Sequence, residues 1–431
     1  MNVQRTVLPS GLRVVSEELP GVQSAAIGFW VGTGSRHERP SEAGISHLVE
    51  HLLFKGTERL SALEIAERIE ATGGEINAFT TREETCYHAV VPADRIDVAL
   101  EILAEMITRP LLDPELIEME KQVVLDEISM YEDDSEELVQ DLILEATLGL
   151  NSLSRSVLGR PSTLRRITRE RVVRYMAERY TADNLVVAAA GRVDHEWLCR
   201  QVEERLASLP PHRRDLPVPV QVAQEPRTVL RRRESEQVHL CLGVPGLPRV
   251  HDDQYALAVL ETLVGGGTSS RLFQELREKR GLVYSTYAYH AGFQETGTFV
   301  LYAGCRPANL DAVRELLEAE VARLGRGDVE AAEVERAREQ LRGAYLLGSE
   351  GSLNRMFQIG QSELLLGRVL DQEEYLAELE RVTVDQVRRL ARELFQPERV
   401  GMAVAGAPPR GWAVRLAGKG RARVRTRRRP T

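Results

Sequence analysis

His47 and His51 stand one helical turn apart, with Glu50 directly before the second of them, in the apolar run His47-Leu48-Val49-Glu50-His51-Leu52-Leu53-Phe54. Side chains four apart share one face of a helix, so both imidazoles can point at a single ion. Glu50 is then close enough to reach a water on that ion. Two imidazoles and an adjacent carboxylate are the minimal parts of a hydrolytic zinc site, which also needs a third protein ligand and an open position for water. Spacing alone does not select that ligand from the 65 acidic residues of the chain. Glu120 and Glu127 stand seven apart in a second helical pattern and so share a face of it.

The flanking sequence supplies elements to hold these groups. Ser61-Ala62-Leu63-Glu64 is a capping box opening a helix that Gly73-Gly74 ends. Residues 75–80 and 85–91 read as paired strands. Asp113-Pro114 is an N-cap followed by proline at the first helical position, and it starts a long helix running past Glu127. Adjacent hairpins mixed with long helices predict an α+β fold of antiparallel-rich sheets with helices on one face.

Pro210, Pro211, Pro217, Pro219 and Pro226 form an extended connector near the middle of the chain. The two sides share a pattern. Residues 167–191 resemble residues 382–406 at a spacing of 215, and at the same spacing Tyr87 meets Tyr302 and Pro92-Ala93 meets Pro307-Ala308. This predicts a duplication: a metal-binding half over 1–208, a linker over 209–226, a homologous half over 227–410 and a basic, flexible tail over 411–431. The halves differ where the chemistry would be. Ala258-Val259-Leu260-Glu261-Thr262 echoes the histidine motif at a spacing of 211 but has no histidine, and Arg342 stands opposite Glu127 at a spacing of 215.

Composition narrows the class. Charged residues make up 28% of the chain and the net charge is −9, which disfavours general nucleic-acid binding. No apolar run approaches the roughly 18 residues of a membrane span. Residues 1–9 lack the apolar core of a signal peptide, so the expected location is the cytoplasm. Cys86, Cys199, Cys241 and Cys305 form no CxxC pair, which argues against a disulfide framework or a thiolate zinc site. Gly265-Gly266-Gly267 lacks the Gly-Lys-Ser/Thr completion of a phosphate loop and reads as a turn.

The His-x-x-Glu-His order resembles the inverted zinc motif of the pitrilysin family, in the branch with mitochondrial processing peptidase and its bacterial relatives. The resemblance covers residues 1–410. It implies His47, His51 and Glu127 as ligands of one zinc ion per chain, Glu50 as general base and Glu120 as an acid on the ligand helix behind them. It implies that Asn77, Ala78 and Phe79, in Gly73-Gly74-Glu75-Ile76-Asn77-Ala78-Phe79-Thr80, belong to an edge strand that pairs with extended peptide. It further implies that Arg277 and Tyr284 act on substrate from the second half. The expected whole is a clamshell of two duplicated halves with the linker as hinge, acting as a homodimeric zinc endopeptidase on extended or unfolded peptides. The same family also holds non-catalytic structural subunits and subunits active only with a partner, and these form the alternative reading.

Overall fold

A computed structural model gives the fold, and it describes residues 3–211, 220, 226–412 and the backbone of 424–426. The first part of the chain runs β1 (Val3–Val7), β2 (Arg13–Glu18), β3 (Ser24–Val31), α1 (Ile45–Leu53), α2 (Ala62–Glu70), β4 (Glu75–Thr80), β5 (Thr85–Pro92), α3 (Ile96–Thr108), α4 (Pro114–Asp133) and α5 (Ser135–Leu148). It continues through α6 (Pro161–Leu164), α7 (Arg169–Arg179), β6 (Leu185–Gly191) and α8 (His195–Arg205). The second part runs β7 (Thr228–Arg232), β8 (Val238–Gly246), α9 (Gln254–Gly265), β9 (Val283–Gly292), β10 (Gly297–Cys305), α10 (Leu310–Gly325) and α11 (Ala331–Gly348). It ends with α12 (Ser352–Leu366), α13 (Gln372–Glu380), α14 (Val384–Leu394), β11 (Gly401–Gly406) and β12 (Val424–Thr426).

Each part builds one six-stranded sheet, ordered β1-β2-β6-β3-β5-β4 and β12-β7-β11-β8-β10-β9. Five strands of one order map one to one onto the other, which is the structural form of the duplication. Both sheets are antiparallel except beside β2 and β7: β2 runs parallel to β6, and β7 runs parallel to β11 and β12. The outermost strand differs, because β1 is antiparallel to β2.

The compact units do not follow the linear halves 1–208 and 227–410. Unit 1 takes Met1–Ile128, Ser156–Val218 and Tyr345–Tyr375, and unit 2 takes Ser129–Arg155, Pro219–Ala344 and Leu376–Thr431. Helix α5 therefore packs on β7, β8, β10 and β11, while α12 packs on β2, β3 and β6. The physical reason lies in the sheets. Strand β6, Leu185-Val186-Val187-Ala188-Ala189-Ala190-Gly191, is buried at every position, as are the last seven residues of β3. Such continuous apolar strands need cover on both faces. One face of the unit 1 sheet meets Leu48, Leu52, Leu100 and Leu103, and the other meets Met356 and Ile359 of α12. Helices thus lie on both faces, not one. Charges also fix α12: Glu363 is fully buried and bonded bidentately by Arg5 (2.7 and 2.9 Å), and Arg355 pairs with the buried Glu17.

The chain passes between the units at 128/129, 155/156, 218/219, 344/345 and 375/376, so the expected linker is one of five connections. Most of 209–226 and most of the basic tail lie outside the described residues. Within the tail expected to be flexible, the β12 backbone pairs with β7. Among the described residues, no helix is long and apolar enough to cross a membrane.

Candidate metal centre

Helix α1 is anchored on its apolar side by Ile45, Leu48, Val49, Leu52 and Leu53, each at most 2% exposed. Its N-terminus lacks a local side-chain cap, since Gly44 stands there at φ 97°. The buried carboxylate of Glu38 takes that role from a distance, accepting the backbone N–H groups of Gly44 (2.9 Å) and Ser46 (2.8 Å). A carboxylate at this end also complements the helix dipole. Helix α4 begins as the sequence predicts: Asp113 Oδ1 accepts the N–H groups of Glu115 (2.8 Å) and Leu116 (3.2 Å). Ile117, Glu120, Lys121, Val124 and Ile128 form its buried side.

These two helices bring His47, His51 and Glu127 together. One donor atom from each lies within 4.8 Å of the others. Glu127 Oε2 is 3.7 Å from His47 Nε2 and 3.6 Å from His51 Nε2. Neither distance is a hydrogen bond. Burial, and then the neighbouring His51, pull the His47 pKa down to about 4, so at neutral pH its ring is uncharged and keeps a lone pair. Three donors that do not bond one another converge on one point. Bonds of about 2.0–2.2 Å in a tetrahedral arrangement place ligand atoms about 3.4 Å apart, close to the spacing found here. The donor set and its geometry fit zinc.

The two imidazoles are held differently. His51 Nδ1 bonds Glu120 Oε1 at 3.0 Å, and Glu120 Oε2 meets Lys55 Nζ at 2.8 Å. An acceptor at Nδ1 favours the tautomer that leaves Nε2 as a donor of electrons to a metal. His47 Nδ1 is buried and has no hydrogen-bond partner among the described residues, so packing sets that ring.

Glu50 lies beside this group, and its carboxylate accepts the hydroxyl of Thr80, the last residue of β4. Burial raises the Glu50 pKa, against the lowering effect of that hydrogen bond. Strand β4 pairs with β5 on one side and is the edge of its sheet. Asn77 is exposed, and its Oδ1 accepts the Ala78 N–H at 2.8 Å. The Phe79 ring is taken up by packing: its centroid is 5.7 Å from Trp30 and 5.8 Å from Phe357.

Arg277 and Tyr284 belong to unit 2 and meet each other there. Arg277 lies in the helical turn Phe273–Glu278, donates Nη1 to the Tyr284 carbonyl (2.7 Å) and sits 5.5 Å from the Tyr284 ring centroid. Tyr284 is 73% exposed. Sequence reading missed Glu38, Lys55 and Thr80. Lys55 carried a signal, being four residues after His51. The other two become visible only when their partners are placed by the fold.

Comparison with known proteins gives the family. Residues 13–160 match the family described as insulinase (peptidase family M16), and residues 166–341 match the peptidase M16 inactive domain. A Streptomyces coelicolor protein named an uncharacterized zinc protease is 42% identical over 400 residues, covering 91% of this chain and 87% of its own length. A Bacillus subtilis protein named in the same way is 39% identical over 393 residues, covering 91% and 96%. Among solved structures, a peptidase M16 inactive domain from Pseudomonas fluorescens superposes with a TM-score of 0.87 at 20% identity, covering 95% of this chain and 98% of its own. A protease from Helicobacter pylori superposes at 0.86 and 21% identity, covering 95% and 99%. At such identities the solved structures support the fold alone.

Proposed function

Since the chain belongs to peptidase family M16, we propose that it is a zinc-dependent endopeptidase hydrolysing extended or unfolded peptides. The observation that carries this reading is the convergence of His47, His51 and Glu127 beside the Glu50 carboxylate. His47 Nε2, His51 Nε2 and Glu127 would hold one zinc ion. When bound, zinc activates a water and polarises a carbonyl. Glu50 takes a proton from the attacking water and delivers it to the leaving amine. A carboxylate whose pKa burial has raised is suited to both halves of that task. Glu120 holds His51 in the tautomer that presents Nε2.

Substrate joins the open edge of β4 as an added strand, with main-chain bonds to Asn77, Ala78 and Phe79. That mode requires a flexible peptide, so compact folded proteins are poor substrates. The Tyr284 hydroxyl would stabilise the oxyanion, and Arg277 would hold a substrate carbonyl. The alternative, a structural subunit or one needing a partner, rests on the inactive-domain match. That match begins at residue 166, after the histidine motif and Glu127. We further propose a homodimer in the cytoplasm, which light scattering and cell fractionation check.

The deciding experiment measures metal content and cleavage of an unstructured peptide library, for wild type and Glu50→Gln. Zinc at one per chain in both, with cleavage lost in the variant, is expected. Zinc-replete wild type without cleavage would favour the alternative. No bound zinc would overturn the reading.

A further inference from the structure

The Glu50 carboxylate has one hydrogen-bonding partner among the described residues, the hydroxyl of Thr80. Glutamate has three rotatable side-chain bonds, so a base of this type needs an external group to fix its carboxylate. Thr80 is well placed to be that group. It closes β4, directly after Asn77-Ala78-Phe79, and its register against Thr85 of β5 is set by the strand ladder. Its β-branched side chain is stiff about the first torsion, so a fixed backbone gives a nearly fixed hydroxyl. Helix α1 also packs against β4, which keeps Glu50 and Thr80 in one local frame.

We propose that Thr80 is a positioning residue that references the Glu50 carboxylate to the same strand on which the substrate lies. Any slide of β4 relative to α1 then moves the peptide and the base together. The hydroxyl acts through Glu50 and does not touch the reacting atoms. This inference rests on the peptidase reading given above.

The test uses the zinc-loaded full chain carrying Thr80→Val, which is nearly isosteric, and Thr80→Ser, which keeps the hydroxyl. Thr80→Val is expected to lower kcat on the order of 10–100-fold, with KM within about twofold of wild type. Zinc content and zinc affinity should not change. Thr80→Ser should recover kcat to within roughly threefold of wild type, because only the methyl group is lost. A crystal structure of Thr80→Val should show the Glu50 carboxylate displaced. Wild-type kcat in Thr80→Val, an equal loss in both variants, or an unmoved Glu50 would overturn the proposal. Failure of the underlying reading looks different: zinc-loaded wild type cleaves nothing, or Glu50→Gln cleaves normally. In that event the position of Glu50 in the Thr80→Val structure still decides the role of Thr80.

Discussion

Helix α1 and the Glu127 stretch of α4 in unit 1, and helix α9 and the Arg342 stretch of α11 in unit 2, occupy equivalent places in the order of elements around two sheets of matching strand order. In the first pair stand His47, Glu50, His51 and Glu127; in the second stand Ala258, Glu261, Thr262 and Arg342. The glutamate persists in both. Burial raises the pKa of each, Glu261 to about 7. Their partners differ: a side-chain hydroxyl of β4 for Glu50, and the His290 backbone N–H for Glu261. A fold that can host the chemistry is therefore present twice, and three side chains separate a candidate metal centre from a packed helix pair. Arg342 makes the point most sharply, since a fixed positive charge at the position of Glu127 repels a cation.

The largest expected effect comes from erasing this difference on the unit 1 side. His47→Ala combined with His51→Thr gives α1 the complement of α9. Zinc should be lost and kcat/KM should fall on the order of 10⁴-fold or more, while the far-ultraviolet circular dichroism stays unchanged. Elemental analysis and peptide cleavage check this; retained cleavage without zinc would dissolve the contrast between the units. Glu120→Ala leaves the ligands intact and removes the acceptor from His51 Nδ1. Zinc affinity should weaken about 10–100-fold, which competition with a chromophoric chelator measures. An unchanged affinity would mean that packing alone orients both imidazoles, as it does His47.

Much of this arrangement is legible in the chain, and the illegible part has a common cause. The four-residue spacing of His47 and His51, the Asp113 cap, the Ser61 capping box and the strand pair around residue 80 are local patterns. Each appears in the structure within a residue or so of its expected place. The repeat at a spacing of 215 is equally plain, because strands and helices recur in order. The exchange of α5 and α12 is not legible. An apolar helix face states that it must be covered, but not by which sheet. A clue was available in Val186-Val187-Ala188-Ala189-Ala190, an unbroken apolar strand that one-sided cover would leave half exposed. At the site, ligand types are local and readable. Glu38, Thr80 and the packing of the Phe79 ring depend on contacts between segments distant in sequence, and these exist only once the fold is made.

The unit 2 counterpart yields the next prediction, and it concerns stability. Glu261 has an ordinary carboxyl pKa of 4.5 when unfolded and about 7 in the folded protein. The fold prefers the neutral form, so this group's stabilising contribution is complete below about pH 4.5 and is lost as pH rises through about 7. The full difference corresponds to roughly 3 kcal/mol. Glu261→Gln, a neutral isostere, should match wild type near pH 4.5 and exceed it in stability by up to about 3 kcal/mol at pH 8. Denaturant unfolding followed at both pH values checks this. Equal pH dependence in both proteins would show that the two buried glutamates are not alike.

The smallest effect belongs to the sheet edges. Both β4 and β9 are edge strands, and each caps part of its own backbone. On β9 an acceptor is covered, since Arg277 Nη1 bonds the Tyr284 carbonyl at 2.7 Å. On β4 a donor is covered, since Asn77 Oδ1 accepts the Ala78 N–H at 2.8 Å. In the proposed strand-addition mode, an incoming peptide carbonyl would compete for that donor and free the Asn77 carboxamide to bond the peptide in turn. The exchange would give up one short-range contact and gain one with substrate, so the Asn77 side chain is worth less than the roughly 1 kcal/mol of a single hydrogen bond. Asn77→Ala should therefore leave KM within about twofold of wild type, with kcat and zinc content unchanged. A lower KM would instead identify the Asn77 side chain as a competitor of substrate, and would make β4 a self-blocked edge like β9.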